Sequence, residues 1–227
     1  MELEINDYLI EVVIQHLKEL EKVYQLNQAL FLTEDDIKCH LFRILDDLFS
    51  KYSPTINPGV TGSALHSEVK FYDENEHLTL VPDITIINPS NLSIYHSVEF
   101  RITNRGAKYG PLPSKSFESG GEAFVIELKF CRERVGITRA NIQSYQSDFD
   151  KLKRLREIMN TRSQGQNKLF GVVAVFNKTD NGRILFEEFE SNNQNQHIRI
   201  FYGTGNVDFS IVDRYYDPYP TRINSSQ

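Results

Sequence analysis

From Leu169 to Phe176 the chain carries no polar side chain at any position. A strand of that kind has no face to give to water, so it predicts a sheet covered on both sides. The segment before it repeats apolar residues at helical spacing, with Ile142, Tyr145, Phe149, Leu152 and Leu155 forming one stripe between Thr138 and about Asn160. Before that helix, Ala123 to Cys131 is strongly apolar on one parity, and a strand, a helix and a buried strand in succession indicate an α/β protein.

Upstream, Leu9, Val13, Leu17, Leu20 and Tyr24 predict an amphipathic helix from Ile5 to about Asn27. Thr33 is a good N-cap for a second helix, with Glu34, Asp35 and Asp36 in the first turn, where the helix dipole favours negative charge. Pro54, Pro58, Gly59 and Gly62 mark a loop, and Leu65–Tyr72 and Leu78–Ile87 read as strands. The 227 residues, 40% hydrophobic, suit one domain. We divide it into an N-terminal helix (1–30), a core (33–177) interrupted by an insertion (88–121), and a C-terminal α/β extension (178–227). Within the insertion Ser93–Ile102 is expected as a strand and Asn104–Gly121 as an exposed basic loop. The extension is expected to hold a helix around Gly182–Glu190 and a strand at His197–Tyr202. The core order is α, β, β, β, α, β around a mixed sheet.

Several function classes fall away. No stretch approaches the roughly 20 apolar residues of a spanning helix, so no membrane partner is expected. The acidic start, Met1 to Asp7, lacks the positive charge of a secretory signal, and two cysteines, Cys39 and Cys131, make no disulfide framework; a cytoplasmic location fits both. The six histidines form no metal spacing, Gly203-Thr-Gly205 is no dinucleotide fingerprint, and neither a phosphate-binding Gly-Lys-Ser/Thr loop nor a serine-hydrolase elbow is present. The formal charge of −6 promises no general attraction to polyanions, yet it is unevenly placed. Residues 1–100 carry 6 Lys/Arg against 17 Asp/Glu, residues 101–168 carry 14 against 7, and the remainder 5 against 7. A basic middle third is the footprint expected where a surface meets phosphate, and equally what a solvated basic loop and helix would give.

The informative segments are Val81-Pro82-Asp83-Ile84-Thr85-Ile86 and Phe124-Val125-Ile126-Glu127-Leu128-Lys129-Phe130. Residues two apart on a strand share a face, so Glu127 and Lys129 point together, opposite Phe124, Ile126, Leu128 and Phe130. On the earlier strand Asp83 takes the parity opposite Ile84 and Ile86. If the strands pair, three charges converge, a costly cluster unless it binds something. Two carboxylates and a strand carbonyl are hard oxygen ligands that suit Mg²⁺, with Mn²⁺ as the alternative, rather than zinc. Two other acid-x-Lys triplets exist, but Asp36-Ile-Lys38 lies on a helix and Glu68-Val-Lys70 precedes the Pro-Asp dipeptide.

The Pro82-Asp83 and Glu127-Leu128-Lys129 pattern, in an αβββαβ order, resembles the PD-(D/E)xK nuclease superfamily over roughly Thr33 to Asn177. The resemblance implies a restriction-endonuclease-like core, with a mixed sheet flanked by helices, an extra N-terminal helix and the C-terminal extension. It implies a Mg²⁺-dependent deoxyribonuclease, a hydrolase acting as an endonuclease on DNA in restriction, phage defence or repair. Asp83 and Glu127 would be metal ligands with the Leu128 carbonyl, and Lys129 the catalytic lysine. Similar families carry a further acid on the first helix or strand, where Glu34 and Glu68 stand, and Glu68 joins the expected catalytic set. They also place a Gln or Lys on the helix after the lysine strand, where Gln143 matches. The ordinary alternatives are dipole compensation for Glu34, a cross-strand ion pair for Glu68, and a solvated helix face with an Asp150–Arg154 pair. The Gln-x-x-x-Tyr pattern of exonuclease relatives is absent.

Nucleic-acid contact is expected from Arg101, Arg105, Lys108, Lys115, Arg132, Arg134 and Arg139, with Tyr109 and Phe117 available to stack on bases. A homodimer or a partner subunit is allowed by family analogy. Two rival readings stand beside the DNA endonuclease: a catalytically silent binding or assembly protein of the same fold, and an RNA-directed nuclease.

Overall fold

The computed structural model describes residues 3–49, 52–94, 98–103, 106–111 and 117–209. Helix α1 (Asp7–Leu26) starts at Asn6, whose side chain accepts the Tyr8 and Leu9 N–H groups. Helix α2 (Glu34–Leu48) starts at Thr33, which forms a capping box with Asp36. Both starts follow from side-chain oxygens satisfying N–H groups that have no partner within the helix. The central sheet holds five strands: β1 (Leu65–Ser67), β2 (Ile84–Ile87), β3 (Ala123–Cys131), β4 (Leu169–Asn177) and β5 (Ile198–Thr204). Their spatial order is the chain order; β1, β2 and β3 pair antiparallel, and β3, β4 and β5 pair parallel. Helix α3 (Arg139–Arg162), capped by Thr138 with Asn141, makes the β3–β4 crossover, and α4 (Arg183–Asn192) the β4–β5 crossover.

Both faces of the sheet are covered. Ile84, Ile86, Phe124, Ile126, Leu128, Val172, Ala174 and Phe176 pack against the apolar stripes of α1 and α2. Ala123, Val125, Leu169, Val173 and Val175 pack against those of α3 and α4. Every residue of β4 is buried, as its apolar run requires. Each large apolar side chain so buried contributes roughly 1.5–3 kcal/mol. The result is a mixed α/β fold, a five-stranded mixed sheet flanked by four helices.

Three expectations are corrected. The strand Leu65–Tyr72 is broken, because Glu68 adopts a left-handed φ of 53° and Phe71–Tyr72 turns away to pair with Leu78–Leu80. Leu78–Ile87 is likewise divided, at Val81 to Asp83, where Pro82 has no N–H to continue a ladder. The stretch Asn104–Gly121 is not one loop: Gly106–Pro111 pairs with Val98–Thr103, and Phe117–Ser119 pairs with Leu92–Ile94. Its Gly, Pro and Ser content hides strands because their pairing depends on a second segment of the chain. The expected C-terminal strand is present as β5, which pairs with β4 in the central sheet.

Candidate functional site

The register of β2 against β3 places the acidic pair. Ile84 lies opposite Ile126, so Asp83, one residue before β2, falls beside Glu127. One step further Leu128 would face Pro82, whose ring nitrogen cannot donate to the Leu128 carbonyl. Beyond Ile126, therefore, the β2 side of β3 is open. Two carboxylates fill the opening: Asp83 Oδ2 accepts the Leu128 N–H at 2.8 Å, and Glu34 Oε2, from the first turn of α2, accepts the Phe130 N–H at 3.1 Å.

Glu127 is 2% exposed, on the face that α3 covers. Burial pushes its carboxyl up to about 8, against the opposing pull of Lys151, with Asp83 and Asp148 raising it further. The Lys151 ammonium stands 2.7 Å from Glu127 Oε1, an ion pair off the line of a well-directed hydrogen bond. It also lies 3.1 Å from Asp148 Oδ1 and donates to the Val81 carbonyl at 3.5 Å. Lys129 Nζ is 3.4 Å from Asp148 Oδ2 and 3.4 Å from Glu34 Oε1. Burial disfavours the Lys129 ammonium, but Asp148, Glu34, Asp83 and Glu127 outweigh it and hold this group above its ordinary value. Burial raises the Glu34 carboxyl, partly offset by Lys129 and the Phe130 N–H. Asp83, Glu127, Asp148 and Glu34 against Lys129 and Lys151 leave a formal charge of −2.

Asp83, Glu127, Lys129 and Glu34 are thus brought together, and Asp148 and Lys151 join them. Asp148 is absent from the set expected from sequence, where Lys151 stands with Gln143 on the polar face of the helix, a face that similar families use to touch phosphate and that is otherwise simply solvated. Their signal is nevertheless present: three apart on α3, they flank the buried positions Tyr145, Phe149 and Leu152, so they turn toward the sheet at the edge of the apolar stripe. The expected Asp150–Arg154 pair does not form; Arg154 binds Glu74, and Asp150 takes Gln146 and Lys153. Glu68 turns instead to Lys38 of α2, at 2.9 Å, and is 64% exposed. Gln143 and Arg139 are exposed beside a shallow groove between α3 and α4.

Of the expected phosphate contacts, Arg132 and Arg134 are exposed in the turn after β3, with Arg134 5.1 Å from the centre of the Phe209 ring. Arg101 and Lys108 are opposite one another in their hairpin. Arg105 and Lys115 lie outside the described residues. Phe117 is 40% exposed. Among the described residues no three His, Cys, Asp or Glu side chains gather as a metal-holding group, and no helix is long and apolar enough to cross a membrane. The set expected from sequence needs two such side chains, its third donor being the Leu128 carbonyl. Two carboxylates and a strand carbonyl are all-oxygen donors of the kind that fits a hard divalent cation. No family model, curated protein or solved structure matches the chain.

Proposed function

We propose that the protein is a divalent-metal-dependent endonuclease that hydrolyses phosphodiester bonds in DNA, with a restriction-endonuclease-like core. The observation that carries this reading is the meeting of Asp83, Glu127 and Lys129 at the open side of β3. Asp83, Glu127 and the Leu128 carbonyl would hold Mg²⁺, or Mn²⁺, which when bound supplies a Lewis acid and a more acidic water. Asp83 is oriented by its bond from the Leu128 N–H, which leaves Oδ1 for the ion. Lys129, braced between Glu34 and Asp148, carries a fixed positive charge that orients the attacking water and neutralises charge developing on the phosphate. Arg132 and Arg134, next along the chain from β3, supply backbone phosphate contacts that give affinity without sequence information.

The test is nicking of supercoiled plasmid. Mg²⁺-dependent nicking that disappears in Lys129→Ala and in Asp83→Asn supports the reading; metal-independent nicking, or nicking that survives both substitutions, contradicts it. Cleavage restricted to RNA would select an RNA-directed nuclease. A second reading, a nuclease-fold binding protein without turnover, draws on the Lys151–Glu127 contact, which gives Glu127 a partner from within the chain. It expects salt-sensitive DNA binding and no cleavage with either Mg²⁺ or Mn²⁺.

A further inference from the structure

We propose that Lys151 is an internal counter-ion which holds the divalent cation's place on Glu127 and, when displaced, becomes a phosphate-binding group of the same site. The proposal rests on the reading of Asp83 and Glu127 as cation ligands and adds how ion and polyanion binding are coupled. Three observations support it. Lys151 Nζ lies 2.7 Å from Glu127 Oε1, on the carboxyl group that a cation shared with Asp83 would need, so the two positive charges compete for one carboxylate. Lys151 is not held by Glu127 alone: Asp148 Oδ1 at 3.1 Å and the Val81 carbonyl at 3.5 Å tether it after release. Its side chain is 24% exposed whereas that of Glu127 is 2% exposed, so Lys151 is the member of the pair that already reaches solvent.

Asp148 is then the positioning residue. One oxygen holds Lys129 and the other holds Lys151, which keeps the two ammonium groups beside the carboxylates whether or not the ion is bound. The sequence of events keeps charges matched: in the ion-free protein Lys151 stands against Glu127 and balances its charge whenever the carboxyl ionises, and it offers its own charge to a phosphate only when Glu127 has a new partner. The protein would bind DNA phosphate at this site weakly without the ion and more tightly with it, and reciprocity requires that phosphate also tighten ion binding.

Amine labelling of the wild-type protein, read by mass spectrometry at Lys151 with and without Mn²⁺, tests the displacement directly. Labelling of Lys151 should rise several-fold on adding Mn²⁺ and should not respond in Glu127→Gln; an unchanged or lowered wild-type reactivity overturns the proposal. Binding of a short phosphorothioate oligonucleotide tests the second half. Lys151→Met should match wild type without the ion and bind about tenfold more weakly at saturating Mg²⁺; an equal loss in both conditions overturns the coupling. If Mn²⁺ binds in a Glu127-dependent manner while Lys151 does not respond, this inference alone fails. If Mn²⁺ binding ignores Asp83 and Glu127, the functional reading fails with it.

Discussion

Replacing Glu127 by glutamine should change how stability depends on pH. In the folded protein burial pushes the Glu127 carboxyl up to about 8, from an ordinary value of 4.5. Between those two values the native state holds a proton that the unfolded chain has released, so this group makes stability fall as pH rises. Below pH 4.5 the loss is absent, and above pH 8 it is complete. At about 1.4 kcal/mol per pH unit, the full effect is on the order of 4–5 kcal/mol. A glutamine side chain has nearly the same shape and cannot ionise, and Lys151 keeps Asp148 and the Val81 carbonyl as partners. Urea denaturation at a series of pH values from about 5 to 8.5 measures the difference. The Glu127→Gln variant should gain several kcal/mol relative to wild type across that range. Parallel curves, with a pH-independent difference, would refute the claim that Glu127 ionises at a cost in the native state. Mg²⁺ should restore wild-type stability near pH 8 and leave the variant unchanged, because only the ionised carboxylate attracts the ion.

Other perturbations probe separate links. Phe176 is fully buried among Tyr24, Phe31 and Phe201, so Phe176→Ala should cost about 3–5 kcal/mol in urea denaturation. Gly136 has a left-handed φ of 70° and a Cβ there would strike the Asn181 backbone, so Gly136→Ala should destabilise by about 1–3 kcal/mol and lower the melting temperature. If Arg132 and Arg134 meet DNA phosphates, the double alanine variant should weaken binding to any sequence alike and reduce the salt slope by about 2. A sequence-dependent loss would point instead to base readout.

The layered architecture is legible in the sequence because it rests on local patterns. The run Leu169–Phe176 is short and valine-rich, which favours a doubly covered strand over a buried helix, and the stripes of α1, α2 and α3 follow the helical period. Thr33 and Thr138 announce their helices by capping chemistry. The pairing of Asp83 with Glu127 is legible too, since parity and one register decide it. What escapes depends on relations between distant segments. Glu68 shares parity with Lys70 on paper, but its left-handed backbone ends the strand and sends the side chain to Lys38. Lys151 looks like one residue of a wet helix face, and only the packing of α3 across β3 sets it against Glu127. The pairing of Val98–Thr103 with Gly106–Pro111 is hidden because strand pairing is a property of two segments, while Gly and Pro content is a property of one.

The central claim is that Asp83 and Glu127 share a hard divalent cation with Lys129 alongside. An anomalous difference map from crystals grown with Mn²⁺ tests it most directly. The account predicts a peak about 2.1 Å from oxygens of both carboxylates and from the Leu128 carbonyl, with Lys151 moved off Glu127. Density confined to other sites, with Lys151 still seated on Glu127, would contradict it.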